Sequence, residues 1–320
     1  MNNTSSSERI HRFSCVACQS ERILEKWQHK GREGSRSVVW CRNCGLGSLH
    51  PFPTVEEYYQ LYSGQPAYGI EYRNESHGGF PVRIKRLAEL MPQRGRLLDI
   101  GSGLGYFLKI AKEDGWLVEG IEPSSAAVRY CYDTFAIRVH EGFLEDFYGR
   151  SGVYDVVTLW DVLEHVSDHI QFLERSIDLL APGGILVLAI PNASGWPARL
   201  FRGRWRYVMP THRHYFKMPY ITKVLAEKKL DIERADHTLK IHSLIQGVLS
   251  FLPFKVNRGR VFKIGMKAVK SDNIPVTALD KKRPQESLLT KVRRIAFKFN
   301  MMALPGGIGD MVDLYCRKGS

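Results

Sequence analysis

Residues 97–105, LLDIGSGLG, limit what this chain can fold into more than any other segment. Leu97, Leu98 and Ile100 make a short apolar strand, and Gly101, Gly103 and Gly105 allow a tight turn in which bare backbone approaches a ligand. Residues 106–113 place Phe107, Leu108 and Ala111 on one helical face, and Gly115 supplies the stop. Glu122 then stands at the tip of the next strand, where a carboxylate accepts both hydroxyls of a ribose. Strand, glycine turn, helix, strand and acid open a doubly wound α/β sheet with a nucleoside-containing cofactor lying across it.

The third glycine separates two cofactor classes. A dinucleotide fingerprint, Gly-x-Gly-x-x-Gly, needs glycine at position 106, and that residue is Tyr106, so NAD is disfavoured. The observed string, Asp99-x-Gly101-x-Gly103-x-Gly105, resembles motif I of the class I S-adenosylmethionine (SAM) methyltransferases. Later landmarks keep to that pattern in order: Tyr154-Asp-Val-Val-Thr-Leu-Trp160 as a nearly continuous apolar strand, Asp161-Val-Leu-Glu164-His165, and Leu179-Leu-Ala-Pro-Gly-Gly184 turning into ILVLAIPN. The resemblance is strong over about residues 80–240 and implies a Rossmann-like, seven-stranded methyltransferase sheet. It further implies SAM contacts from Asp99, Gly101, Ser102, Gly103 and Gly105 at the methionine end. Glu122 is expected at the ribose, Pro123 and Phe143 at the adenine, and Trp160 at the cleft edge.

Four of the six cysteines form Cys15-x-x-Cys18 and Cys41-x-x-Cys44, with 22 residues between the pairs. Paired knuckles of this kind hold four thiolates in the tetrahedral geometry zinc prefers, and a closed four-sulfur set makes the metal structural rather than catalytic. Arg42, Asn43 and Gly45 supply the turn around the second knuckle, while Cys131 and Cys316 read as buried, inert thiols. The expected organisation is a disordered tail at 1–12, a zinc ribbon at 13–50, and a connector at 51–79, helical in part. The methyltransferase core follows at 80–240 with an insertion at 192–220, and a basic elaboration at 241–320 closes in the antiparallel strand DMVDLYCRK.

The net charge of +13 is uneven: thirteen Lys or Arg against three acidic residues lie between 255 and 298. Such a stretch attracts polyanions or an anionic membrane surface, or is simply a solvated face. The apolar segment at 241–254 reads as a packed helix in preference to an interfacial one. With no 18-residue apolar run and no apolar leader at the N-terminus, the expected location is cytoplasmic, with peripheral membrane contact left open. The oligomeric state is not legible.

Methyl transfer to a hydroxyl or carbon acid needs a base, and three histidines are candidates. His165 follows the strand at 154–160, beside Asp161 and Glu164, which read as a helix capping box. His212 and His214, with Tyr215, lie in Pro210-Thr-His-Arg-His-Tyr-Phe216. That string resembles the acceptor-closing loop of bacterial methyltransferases with N-terminal zinc ribbons, a group tied to sugar, polysaccharide and natural-product pathways. The resemblance implies O- or C-methylation of a small-molecule or glycan acceptor with a histidine base; Arg213 departs from the apolar residue usual there. Trp196 and Trp205 are expected to pack on the core. The rivals are an RNA methyltransferase using ribbon and basic segment, and a zinc-binding scaffold without activity. Leu159-Trp-Asp-Val162 in place of an Asn-Pro-Pro-Tyr string disfavours nucleic acid, and the intact glycines and Glu122 disfavour the scaffold.

Overall fold

Alternation of side chains along the central strands decides the layers. In a computed structural model, which describes residues 13–28, 36–52, 79–147, 150–239, 302–303 and 309–319, Leu97, Val156, Val187 and Tyr315 face one side of a sheet. Their chain neighbours Leu98, Val157, Leu188 and Leu314 face the other. Both sides are apolar because both are covered, which is why these strands read as continuous hydrophobic runs. Three helices cover the first side: α1 (Phe80–Leu90), α2 (Tyr106–Glu113) and α3 (Ser125–Phe135). On the second side lie α4 (His169–Asp178), α6 (Met218–Glu227) and part of the cysteine ribbon. A short α5 (Trp196–Phe201) sits in the insertion.

Among the described residues, three strands come before α1: β1 (Ile23–Gln28), β2 (Ser37–Cys41) and β3 (Gly47–His50). The large sheet is built from β4 (Arg96–Ile100), β5 (Leu117–Glu122), β6 (Val139–Glu141), β7 (Tyr154–Trp160) and β8 (Leu180–Pro191), with β10 (Leu230–Leu239) and β12 (Met311–Lys318). A two-residue β11 (Met302–Ala303) adds to its edge, giving the order β11-β10-β12-β8-β7-β4-β5-β6. From β6 to β8 the pairs are parallel, and β12 is antiparallel to both β8 and β10. This is the α/β doubly wound, seven-stranded sheet the sequence predicts, with DMVDLYCRK as its antiparallel strand. From β4 the chain winds out to β5 and β6, then returns to β7 on β4's other side, so the carboxyl ends of β4 and β7 flank the switch point where such sheets bind ligands.

The ribbon strands form a separate antiparallel sheet, β1-β2-β3-β9, whose fourth member β9 (His214–Tyr215) comes from the insertion. Two expectations are corrected here. Asp161 and Glu164 cap no helix: Asp161 turns into the left-handed region at φ 56°, and the Glu164 carbonyl accepts from Arg213 and His214 instead of a helical amide. The helix starts later, at His169, where the Asp168 carboxylate accepts from the amides of Ile170 and Gln171 at 3.0 Å each. Trp205 is buried as expected, but Trp196 is 37% exposed: it opens α5 on that helix's outer face, while Pro197 and Ala198 take the buried one. The tail at 1–12, residues 53–78 of the connector, the apolar segment at 241–254 and the whole basic stretch lie outside the described residues.

Candidate functional site

The turn after β4 is held by the end of β5. The amides of Gly101 and Ser102 both donate to the Ile121 carbonyl, at 2.8 and 3.1 Å. Glu122 completes the arrangement from a site with no solvent exposure: Oε2 accepts from the Gly103 amide and Oε1 from the Ser124 amide, each at 2.9 Å. Glycine is required twice for a physical reason. Gly101 has φ 76° and a Cβ there would stand 2.7 Å from Val162; Gly105 has φ 79° and a Cβ would meet the Cys131 sulfur at 2.2 Å. The carboxylate that sequence reasoning assigns to a ribose is the brace of the turn.

Beside it, Asp99 is fully buried and accepts a 2.6 Å bond from the Thr158 hydroxyl. Burial raises its pKa to about 8, the Thr158 bond opposes the rise, and the Glu122 charge adds to it. Ser102 has a buried hydroxyl without a hydrogen-bond partner. Pro123 and Phe143 lie exposed past the tips of β5 and β6, Phe143 at 48%. Trp160, at the end of β7, is buried against Phe107 with ring centroids 4.9 Å apart. The Arg83 guanidinium covers its other side at 4.3 Å from the ring centroid.

Of the four residues expected at the acceptor, the structure brings His165 and His212 into direct contact. His165 and His212 meet edge to face, ring centroids 4.6 Å apart and planes at 88°. The Nδ1–H of His165 donates to the Thr211 carbonyl at 2.9 Å, which leaves Nε2 as its basic nitrogen. Burial lowers the pKa of His165, and that of His212 falls well below the ordinary value through burial, His165 and Arg206. Glu164, buried at 1% exposure, joins them: one ligand atom from each of the three residues lies within 4.8 Å of the others. His214 approaches the Ser167 carbonyl at 3.2 Å and lies tilted against His169, ring centroids 4.6 Å apart. Tyr215, its ring centroid 6.3 Å from that of His212, donates to the Met209 carbonyl at 3.4 Å inside an apolar cluster.

The four cysteines converge as their spacing predicts. Cys15 and Cys44 sulfurs are 3.5 Å apart, those of Cys18 and Cys41 3.6 Å, and all four lie within 4.8 Å of one another. Zn–S bonds of about 2.3 Å in a tetrahedron put sulfurs roughly 3.8 Å apart, so the set fits zinc, and it is too open for disulfides. Gly45 makes the knuckle turn at φ 85°, and the Asn43 amide donates to the Cys41 sulfur at 3.3 Å. The Cys44 thiol aimed at Cys15 lowers the latter's pKa to about 5, a thiolate-favouring arrangement. Cys131 and Cys316 are buried, with pKa values that burial raises to about 11 and about 12.

A family model described as a methyltransferase domain matches residues 74–233, half of the 320-residue chain. The chain belongs to the methyltransferase-domain family. Among curated proteins, a ubiquinone biosynthesis O-methyltransferase of Caulobacter sp. is 34% identical over 107 residues, which cover 30% of this chain and 41% of that protein. A probable S-adenosylmethionine-dependent methyltransferase of Mycolicibacterium smegmatis is 25% identical over 153 residues, 48% of this chain and 58% of that one. The chain therefore spans between about two fifths and three fifths of the length of these relatives. Among solved structures, a chain of the complex between the Haloferax volcanii Trm112 methyltransferase activator and a putative methyltransferase matches at TM-score 0.50 and 14% identity. That match covers 83% of this chain and 98% of that one, a likeness of fold.

Sequence reasoning missed Arg83. Its guanidinium forks onto both oxygens of Asp313 at 2.8 and 2.9 Å, tying α1 to β12 beneath the Trp160 ring. Burial lowers its pKa, and the charge and bonds of Asp313 more than offset this, leaving it firmly cationic. The pairing joins residues 230 positions apart, and only the alternation of Arg83 with the buried Phe80, Ile84 and Leu87 hints that it faces inward. No helix among the described residues is long and apolar enough to cross a membrane.

Proposed function

We propose that this methyltransferase moves a methyl group from SAM to an oxygen of a small-molecule acceptor, with His165 and His212 beside the acceptor hydroxyl. SAM brings the activation in its sulfonium carbon, so the chain has to bind, align and deprotonate. Asp99 and the turn residues Gly101, Ser102, Gly103 and Gly105 take the methionine end. Glu122 takes the ribose, Pro123 and Phe143 flank the adenine, and Trp160 bounds the cleft. The observation carrying the reading is the His165–His212 contact next to the switch point: two neutral imidazoles, one with its tautomer set by Thr211 so that a lone pair remains at Nε2. A buried histidine that stays neutral accepts a proton at physiological pH. Oxygen is preferred over carbon or nitrogen because several curated relatives are named O-methyltransferases. Zinc in the four-cysteine set takes no part in the chemistry, and glycan acceptors of the same hydroxyl chemistry remain within the proposal.

The test incubates purified enzyme and cell extract with methyl-labelled SAM and fractionates the products. Label in a low-molecular-weight hydroxylated compound or a glycan, lost in His212→Gln, supports the proposal. Label confined to RNA, or none under conditions where SAM binding is measured calorimetrically, overturns it.

A further inference from the structure

The zinc ribbon and the acceptor loop share one sheet. β3 pairs antiparallel with β9, Gly47 opposite Tyr215 and Ser48 opposite His214, and the Leu49 amide donates to the Arg213 carbonyl at 2.9 Å. From the opposite side the Arg213 and His214 amides donate to the Glu164 carbonyl at 2.8 and 3.1 Å. The backbone that follows His212 is therefore clamped between the ribbon and the loop bearing His165. Side chains continue the contact: Trp27, Trp40 and Leu49 of the ribbon share an apolar cluster with Phe201, Trp205 and Tyr215. Lys217 sits 4.1 Å over the Trp40 ring while reaching Glu25 at 3.4 Å. Gly203 packs so closely on the Gln28 carbonyl that a Cβ would lie 1.9 Å from it. The sulfur cluster stands at the root of these links, since Cys41 ends β2 and Cys44 lies three residues before β3 begins. The bonds shaping the glycine turn run instead to Ile121 and Glu122.

We propose that the ribbon positions the acceptor half of the site: metal held by Cys15, Cys18, Cys41 and Cys44 fixes β3, β3 fixes β9, and β9 holds His212 against His165. The hydrogen bonds that shape the glycine turn do not pass through it, although the ribbon shares the apolar layer beneath β4 and β5. Trp27 and Trp40 are positioning residues in this scheme, and its functional meaning rests on His212 facing the acceptor as proposed above. A free-standing ribbon would need no strand from the insertion, and a lid built only to cover substrate would need no sheet partner; here each completes the other.

Amide exchange followed by mass spectrometry, together with calorimetric SAM binding, tests the coupling on the full chain before and after removal of zinc by a chelator. Exchange should rise together in peptides covering 46–50 and 209–217, while the SAM Kd stays within about twofold. Unchanged protection at 209–217 in the metal-free protein overturns the proposal, and so does SAM affinity lost in step with the metal. Should the chelated protein unfold outright, Trp27→Ala decides, since it leaves the sulfurs intact. It should keep one zinc per chain, loosen 201–217, and move the titration of His212 seen by imidazole NMR up toward the ordinary value, with Trp27→Phe restoring both. A Trp27→Ala protein with wild-type exchange and titration refutes the scheme. Methyl transfer that survives His212→Gln would sink the base assignment alone, leaving the measured coupling in place.

Discussion

Glu122→Gln separates the two jobs assigned to one carboxylate. In the folded chain both oxygens are occupied by amides at 2.9 Å and the side chain has no solvent exposure. Glutamine keeps the shape but turns one acceptor into a donor facing an amide N–H. One charge-assisted bond worth about 1.5–3 kcal/mol is lost, and the abandoned amide stays buried. At about 2 kcal/mol, and with domains of this size shifting roughly 2–4 °C per kcal/mol, the SAM-free protein should melt about 4–8 °C lower. If the same carboxylate also receives the ribose hydroxyls, SAM affinity should fall by roughly 10- to 150-fold for that interaction range. Differential scanning calorimetry without ligand reads the first quantity and titration calorimetry the second. A SAM-free melting point within about 1 °C of wild type refutes the brace, and an unchanged SAM Kd in a destabilised protein refutes the ribose placement.

Three further outcomes follow from buried charge. Asp99 titrates near pH 8, above an ordinary carboxylate, so its contribution to SAM-free stability is full at acid pH and is lost as pH rises through about 8. Binding of cationic SAM favours its ionised form, so calorimetry at pH 7 in buffers of different ionisation enthalpy should show proton release that Asp99→Asn abolishes; buffer-independent heats would contradict this. The pKa values of His165 and His212 both lie below the ordinary histidine value, so the neutral base is present throughout neutral pH. The rate with any acceptor found should stay level above about pH 6.5 and decline only on the acid side, and His212→Gln should lower kcat by about 10²–10⁴ with SAM affinity retained. A rate limb centred above pH 7 would point to another group. Finally, Arg83→Met strands the Asp313 carboxylate and should cost about 3–5 kcal/mol, much of it regained in the Arg83→Met, Asp313→Asn double variant; denaturant midpoints of the single and double variants check this.

What was legible in the sequence had short range. The glycine turn, its helix at Tyr106–Glu113, the strand Tyr154–Trp160 and the knuckles at Cys15, Cys18, Cys41 and Cys44 are each fixed by residues within a few positions, and each falls where periodicity and spacing put it. The capping box failed because the pattern of Asp161 and Glu164 is also local but was outcompeted. Asp161 takes a left-handed turn with its amide on the Ala189 carbonyl, and the Glu164 carbonyl is claimed by amides nearly fifty positions away. Local propensity set the helix; tertiary pairing moved its cap to Asp168 and its start to His169.

The acceptor half depends on such distant pairings throughout, which is why four candidates there could not be ranked from sequence. His212, His214 and Tyr215 fall within four consecutive residues, yet alternation in the β9 strand sends neighbouring side chains to opposite sides. Tyr215 goes into the apolar cluster with Trp40, His214 to the Ser167 carbonyl, and His212, just before the strand, to His165. The register that decides this is set by Gly47 and Ser48, more than 160 residues earlier, and a shift of one position would exchange the two faces. The ribbon thus has a second constraint beyond bringing its four sulfurs together. Its third strand must present the right edge at the right register, and Gly47 meets it by letting the Trp40 ring lie where a Cβ would stand 2.7 Å away. A substitution at that glycine should therefore disturb the His165–His212 contact without touching a single cysteine or cofactor residue.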